Sequence, residues 1–97
     1  MTTKEVLIAA KALIDTPEKW CKGSYQTIDG RYCAVGAADT ASPPVLAVRE
    51  EVYDALVDTM PRWYISRRYI ASSFNDARKT THADVMAWFD RAIAKAS

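Results

Sequence analysis

Apolar positions recur every three or four residues along most of the chain, and helix-capping residues punctuate them. In "TTKEVLIAAKALID", Val6, Leu7, Ala10, Leu13 and Ile14 fall on one side of a helical projection. Thr2 and Glu5 stand just before that run at the spacing of a capping box, so a helix is expected to open there. Thr16-Pro17 predicts a short second turn through "EKWCKG", with Gly23 as its stop.

The stretch "SYQTIDGRYCAVGAADTAS" carries two signals. Asp29-Gly30 between "YQTI" and "RYCAV" is a hairpin signal. The alanine-rich run from Cys33 to Ala41 lacks strand alternation and favours a helix that begins just after the turn. The expectation is that helix, with a small hairpin near residues 24–33 left open.

After "SPP", Val45, Val48, Val52, Leu56, Thr59 and Met60 form one stripe, while Glu50, Glu51, Asp54 and Asp58 line the other side. Pro61 ends this helix. "RWYISRRYIASSF" reads as a further helix with two apolar stripes, Trp63, Ile70 and Phe74 against Ile65 and Tyr69. That pattern suits a helix packed between neighbours. A capping box of Thr81 with Asp84 opens the last helix, which turns Val85, Phe89, Ala92, Ile93 and Ala96 inward. The fold class that follows is all-α: a compact bundle of four or five short helices.

Composition narrows the picture. Ninety-seven residues suit one domain, 1–97, because two cores would each be too small to hold together unaided. The chain is 49% hydrophobic and 26% charged, so a packed core rather than disorder is expected. A net charge of +1 favours neither nucleic acid nor an anionic membrane. The apolar run at the N-terminus is broken by Glu5, Lys11 and Asp15 and is too short for a signal peptide or a membrane span. A cytoplasmic protein with Cys21 and Cys33 as reduced thiols is therefore expected. Two cysteines and one histidine in no ligand spacing predict no metal, and no cofactor is expected.

Three residues could support thiol chemistry: Cys33, His82 and Asn75. Cys33 stands near the start of the expected alanine-rich helix, where a thiolate is favoured. His82, in the first turn of the last helix, would be kept neutral by the helix N-terminus. Asn75 could orient the imidazole, which gives the parts of a cysteine-dependent hydrolase. No nucleophile signature surrounds Cys33, however. Asn75 also suits a helix ending in a left-handed conformation, and Asp76 suits a turn. Backbone capping accounts for the stretch "FNDARKTTHADV" without catalysis.

A basic-aromatic segment spans 62–79, where Arg62, Arg67, Arg68, Arg78 and Lys79 are interleaved with Trp63, Tyr64 and Tyr69. Its composition is that of a nucleic-acid patch. The arginines scatter around the helical axis, so solvated charges flanking core aromatics are the simpler reading. Arg49 sits on the apolar side of its own helix. With Trp63, Tyr64, Arg67 and Arg68 it has the residue types enriched at protein contact hot spots.

The motifs "EKWCKG", "DGRYCAVGAA" and "SSFNDARKTTHADVMAWFDRAI" together resemble a group of small bacterial and phage domains without an assigned activity. The pattern is W-x-x-G, C-A-x-G-A, F/W-N-D and T-x-x-D/E-V. It falls here on Trp20, Gly23, Cys33, Ala34, Gly36, Ala37, Phe74, Asn75, Asp76, Thr81, Asp84 and Val85. The resemblance implies no catalytic residues. It implies a scaffold in which the N-D turn docks on the C-A-x-G-A helix, and a mobile-element setting.

The function expected from these readings is a non-enzymatic module that binds a host or bacterial protein, as an inhibitor or adaptor. A nucleic-acid-binding regulator using 62–79 is the alternative, and a hydrolase built on Cys33 stands third. Self-association is left open.

Overall fold

The computed structural model describes residues 1–64 and 71–96. Among the described residues, five α-helices make up the fold: α1 (Thr3–Leu13), α2 (Ala34–Ala41), α3 (Leu46–Asp58), α4 (Ala71–Asp76) and α5 (His82–Lys95). No named strand occurs among the described residues, and the all-α expectation holds.

The predicted helix starts are realised in atomic detail. Thr2 Oγ1 accepts the Glu5 N–H at 3.1 Å while the Glu5 carboxylate accepts the Thr2 N–H at 3.0 Å. Thr81 and Asp84 make the same reciprocal pair at the head of α5. Each box satisfies two backbone donors that a helix start leaves without partners. Val6, Leu7 and Ala10 of α1 are buried with Ile14 just beyond it, and they meet Val85, Trp88, Phe89 and Ala92 of α5 in one core. Full burial of each large side chain contributes about 1.5–3 kcal/mol.

α2 is built almost wholly of small residues. Ala34, Gly36, Ala37 and Ala38 are buried, which lets α1 pack closely against it. α3 buries Val52, Ala55 and Leu56. Near its end, the Leu56 carbonyl accepts the Trp88 indole N–H at 2.7 Å, and the Thr59 carbonyl accepts Arg91 Nε at 2.9 Å. Both carbonyls lie at the helix terminus, where side chains supply partners that the helix ladder does not; that of Leu56 also accepts the Thr59 N–H at 3.3 Å. Phe74 completes the centre, its ring meeting Trp88 edge-on at 4.9 Å.

Three expectations need correction. The turn after Thr16 is only a 3₁₀ turn, Pro17–Lys19, so Gly23 lies in the following loop rather than at a helix stop. Its φ of 80° still places it in the left-handed region. Asn75 is not left-handed: no described non-glycine residue has positive φ, and Asn75 lies inside α4. The expected helix does not start at Arg62. Pro61 to Tyr64 forms a turn closed by a Tyr64 N–H to Pro61 carbonyl bond, while Ala71–Asp76 is helical as expected. Residues 65–70 lie outside the described residues.

The two signals between 24 and 41 prove compatible. The Gly30 N–H bonds the Thr27 carbonyl, the Thr27 N–H bonds the Arg31 carbonyl, and Gly30 sits at φ 85°. This is a tight hairpin-like turn with isolated bridges from Tyr32 to Trp20 and Gln26, too short to count as strands. The helix starts at Ala34, immediately after it.

Candidate functional site

Asn75 is fully buried, and all the hydrogen-bonding capacity its amide usually exercises is used. Its Oδ1 accepts the Trp20 indole N–H at 2.7 Å and the Ala34 backbone N–H at 3.0 Å. Its Nδ2 donates to the Cys21 carbonyl at 3.1 Å and to Asp76 Oδ1 at 2.9 Å. One side chain from α4 thus fixes the loop at residues 20–21 and the first residue of α2. Asp76 extends the joint, because the same Oδ1 accepts the Gly23 N–H at 3.0 Å. Lys22 adds a bond from Nζ to the Ala77 carbonyl at 2.8 Å.

Gly36 is required by this arrangement. The loop backbone at Tyr25 crosses so close to α2 that a Cβ at position 36 would collide with the Tyr25 carbonyl. That carbonyl also accepts the Cys33 N–H at 3.3 Å. Only glycine leaves room for the loop to lie there.

Beside the joint lies a cleft of about 200 Å³ lined by Gly23, Ser24, Tyr25, Cys33, Ser72 and Asp76. Cys33 is the N-cap of α2, and its Sγ accepts the Gly36 N–H at 3.3 Å. The thiolate expected there is not favoured. Burial pushes the Cys33 thiol up, Asp76 adds to the shift, and the backbone N–H groups of Gly36 and Val35 only partly offset it. Cys21 is also free and buried, and its thiol is raised by desolvation and by Cys33.

His82 is held elsewhere. Its Nε2 lies 2.7 Å from the Ile14 carbonyl, an obligate acceptor, so this nitrogen carries the proton and donates. Its ring packs against Trp20 at 5.9 Å. Cys33, Asn75 and His82 are therefore not joined as nucleophile, base and orienter. The thiol caps a helix, the amide is saturated by other partners, and the imidazole ties α5 to the end of α1.

With this geometry in place, the family assignment is direct: the model of a family of unknown function, DUF6197, matches residues 1–95. The chain belongs to that family. No curated protein and no solved structure matches it. The motif residues Trp20, Gly23, Cys33, Gly36, Asn75 and Asp76 meet in the joint, while Thr81 and Asp84 cap α5.

Of the contact residues expected from the sequence, Trp63 and Tyr64 pack together and Arg49 stands on α3. Trp63 is half exposed, with its ring edge-on to Phe74 at 5.6 Å. Tyr64 is half-buried and packs on the same ring at 5.3 Å. Arg67 and Arg68 lie outside the described residues. Arg49 is exposed and folded back along its own helix, with Nε 3.4 Å from the Pro43 carbonyl and the guanidinium 4.0 Å from Asp39.

Sequence reasoning overlooked Leu46, and it set Val45 on the apolar stripe with Val48, Val52 and Leu56, whereas Val45 is the N-cap of α3 and faces solvent. Leu46 is 71% exposed and Val45 49%, and Tyr53 also reaches solvent. Leu46, Arg49, Glu50, Tyr53 and Asp54 line a shallow concavity of about 500 Å³ with Asp39 of α2. A signal for this was present, since Leu46 is out of phase with the inward stripe of Val48, Val52 and Leu56.

Proposed function

We propose that this domain is a non-enzymatic protein-interaction module, a small inhibitor or adaptor of bacterial or phage origin, with its contact surface on the outer face of α3. The observation that carries the reading is the exposure of Leu46 and Tyr53 in a concavity, with exposed Val45 next to Leu46 in the chain. A single exposed leucine needs no explanation. Several apolar side chains gathered on one face with a polar rim are the usual mark of a contact surface. The placement of Cys33, Asn75 and His82 in structural tasks supports the same reading. A cytoplasmic location, where Cys21 and Cys33 stay reduced, fits it.

The test is capture from bacterial lysate, with and without nuclease, on immobilised wild-type domain and on a Leu46→Ser/Tyr53→Ser variant. A protein retained by the first and lost by the second is the expected result. Equal retention by both baits, or none by either, overturns the reading. Retention that disappears with nuclease treatment transfers it to nucleic acid and the 62–79 segment.

A further inference from the structure

We infer that the concavity on α3 receives a basic amphipathic helix presented by the partner protein, an inference that rests on the interaction reading above. Apolar contact is available at Leu46 and Tyr53, with Val45 beside them. Leu46 and Tyr53 are seven positions apart, about 10 Å along the helix at 1.5 Å per residue. That distance matches apolar side chains at positions i and i+7 of a helix laid alongside, the spacing used when an amphipathic helix docks in a groove.

The rim selects the charge of the occupant. Asp39, Glu50 and Asp54 supply three carboxylates around the apolar centre, against the single guanidinium of Arg49. That guanidinium is already directed at Asp39 and at the Pro43 carbonyl. Among the described residues, Glu50 and Asp54 form no ion pair. The acidic surface continues along the same helix through Glu51 and Asp58, the latter 3.3 Å from Lys95. The whole chain carries a net charge of +1, so this acidity is local to α3. Apolar side chains flanked by lysine or arginine meet both features, whereas an acidic helix meets like charge at the rim.

The experiment titrates a fluorescent fourteen-residue peptide with leucines at i, i+3, i+4 and i+7 and lysines elsewhere. Its counterpart with glutamates for lysines and a scrambled leucine–lysine peptide serve as controls. The expected result is saturable binding of the basic amphipathic peptide, at least tenfold tighter than either control and weakened by added salt. Leu46→Ser and Glu50→Lys/Asp54→Lys each weaken it at least tenfold, while Glu18→Lys, in the 3₁₀ turn, leaves it unchanged. Equal affinity for the scrambled or acidic peptide overturns the inference, as does indifference to the α3 substitutions. Sedimentation that shows a dimer abolished by Leu46→Ser assigns the face to a second copy and overturns it too. If lysate capture depends on Leu46 and Tyr53 but the basic peptide neither binds nor competes, the helix inference fails and the interaction reading survives. Loss of both results removes both.

Discussion

Asn75 accepts the Trp20 indole N–H at 2.7 Å across fifty-five positions of chain, and the same oxygen accepts the first N–H of α2. This one amide closes the loop that precedes α2 onto the helix that precedes α5. Asn75→Ala would leave the indole donor, the Ala34 N–H and the Cys21 carbonyl without that partner. Each buried polar group left unpaired costs about 1–3 kcal/mol, so a loss on the order of 3 kcal/mol or more is expected in urea denaturation. A loss below about 1 kcal/mol would contradict the role assigned to Asn75.

Gly36→Ala tests the loop contact with an effect of unusual sign. In a helix interior this replacement normally stabilises by roughly 0.5–1 kcal/mol. Here the new Cβ meets backbone at Tyr25, which cannot rotate away as a side chain could. The expected outcome is destabilisation on the order of 2–3 kcal/mol, in the range of overpacked cores. Thermal unfolding of the variant beside wild type decides it, and an increase in Tm would show that the loop lifts off α2 freely.

Thr80 offers the reverse case. Its hydroxyl is buried with no hydrogen-bond partner among the described residues. Thr80→Val keeps the shape and replaces that hydroxyl with a methyl group. Stability is expected to stay the same or rise by up to about 1 kcal/mol. A clear loss in chemical denaturation would reveal a partner for Oγ1.

The thiols give a pH dependence. Burial raises Cys33 and Cys21 above the ordinary thiol range. The unfolded chain therefore releases these protons first as pH rises, at about 8.5. Their contribution to stability is complete below that pH and declines as pH climbs through and beyond it. Tm followed from pH 7 to 10 should fall, and a Cys21→Ala/Cys33→Ser variant should fall less. Serine keeps an oxygen at the N-cap, so the variant should remain folded. Native Cys33 should also react more slowly with iodoacetamide at pH 7.5 than it does in urea. Faster reaction in the native protein would reopen nucleophilic chemistry at this position.

Local rules carried far in this chain. The capping boxes at Thr2 and Thr81, the Asp29-Gly30 turn and the inward stripe of α5 all depend on neighbours within a few residues, so the sequence displays them directly. Asn75 was legible only as a residue suited to a helix end. Its actual task is tertiary, and the partners Trp20 and Ala34 lie more than forty positions away. Cys33 was placed correctly at a helix start, but its protonation depends on burial, which the spacing of residues does not reveal. Leu46 escaped for a similar reason. Whether an out-of-phase apolar residue meets a neighbouring helix or water is decided by how the helices pack.

The central claim is that stability and binding reside on different faces, the first in the Asn75 joint and the second on α3. The most direct measurement pairs thermal unfolding of the Leu46→Ser/Tyr53→Ser variant with lysate capture on the same preparation. Both side chains are exposed, so Tm is expected to stay within about 4 °C of wild type, as for surface changes worth up to about 0.5 kcal/mol. The captured partner should be lost at the same time. A variant that stays folded and still retains the partner would contradict the claim.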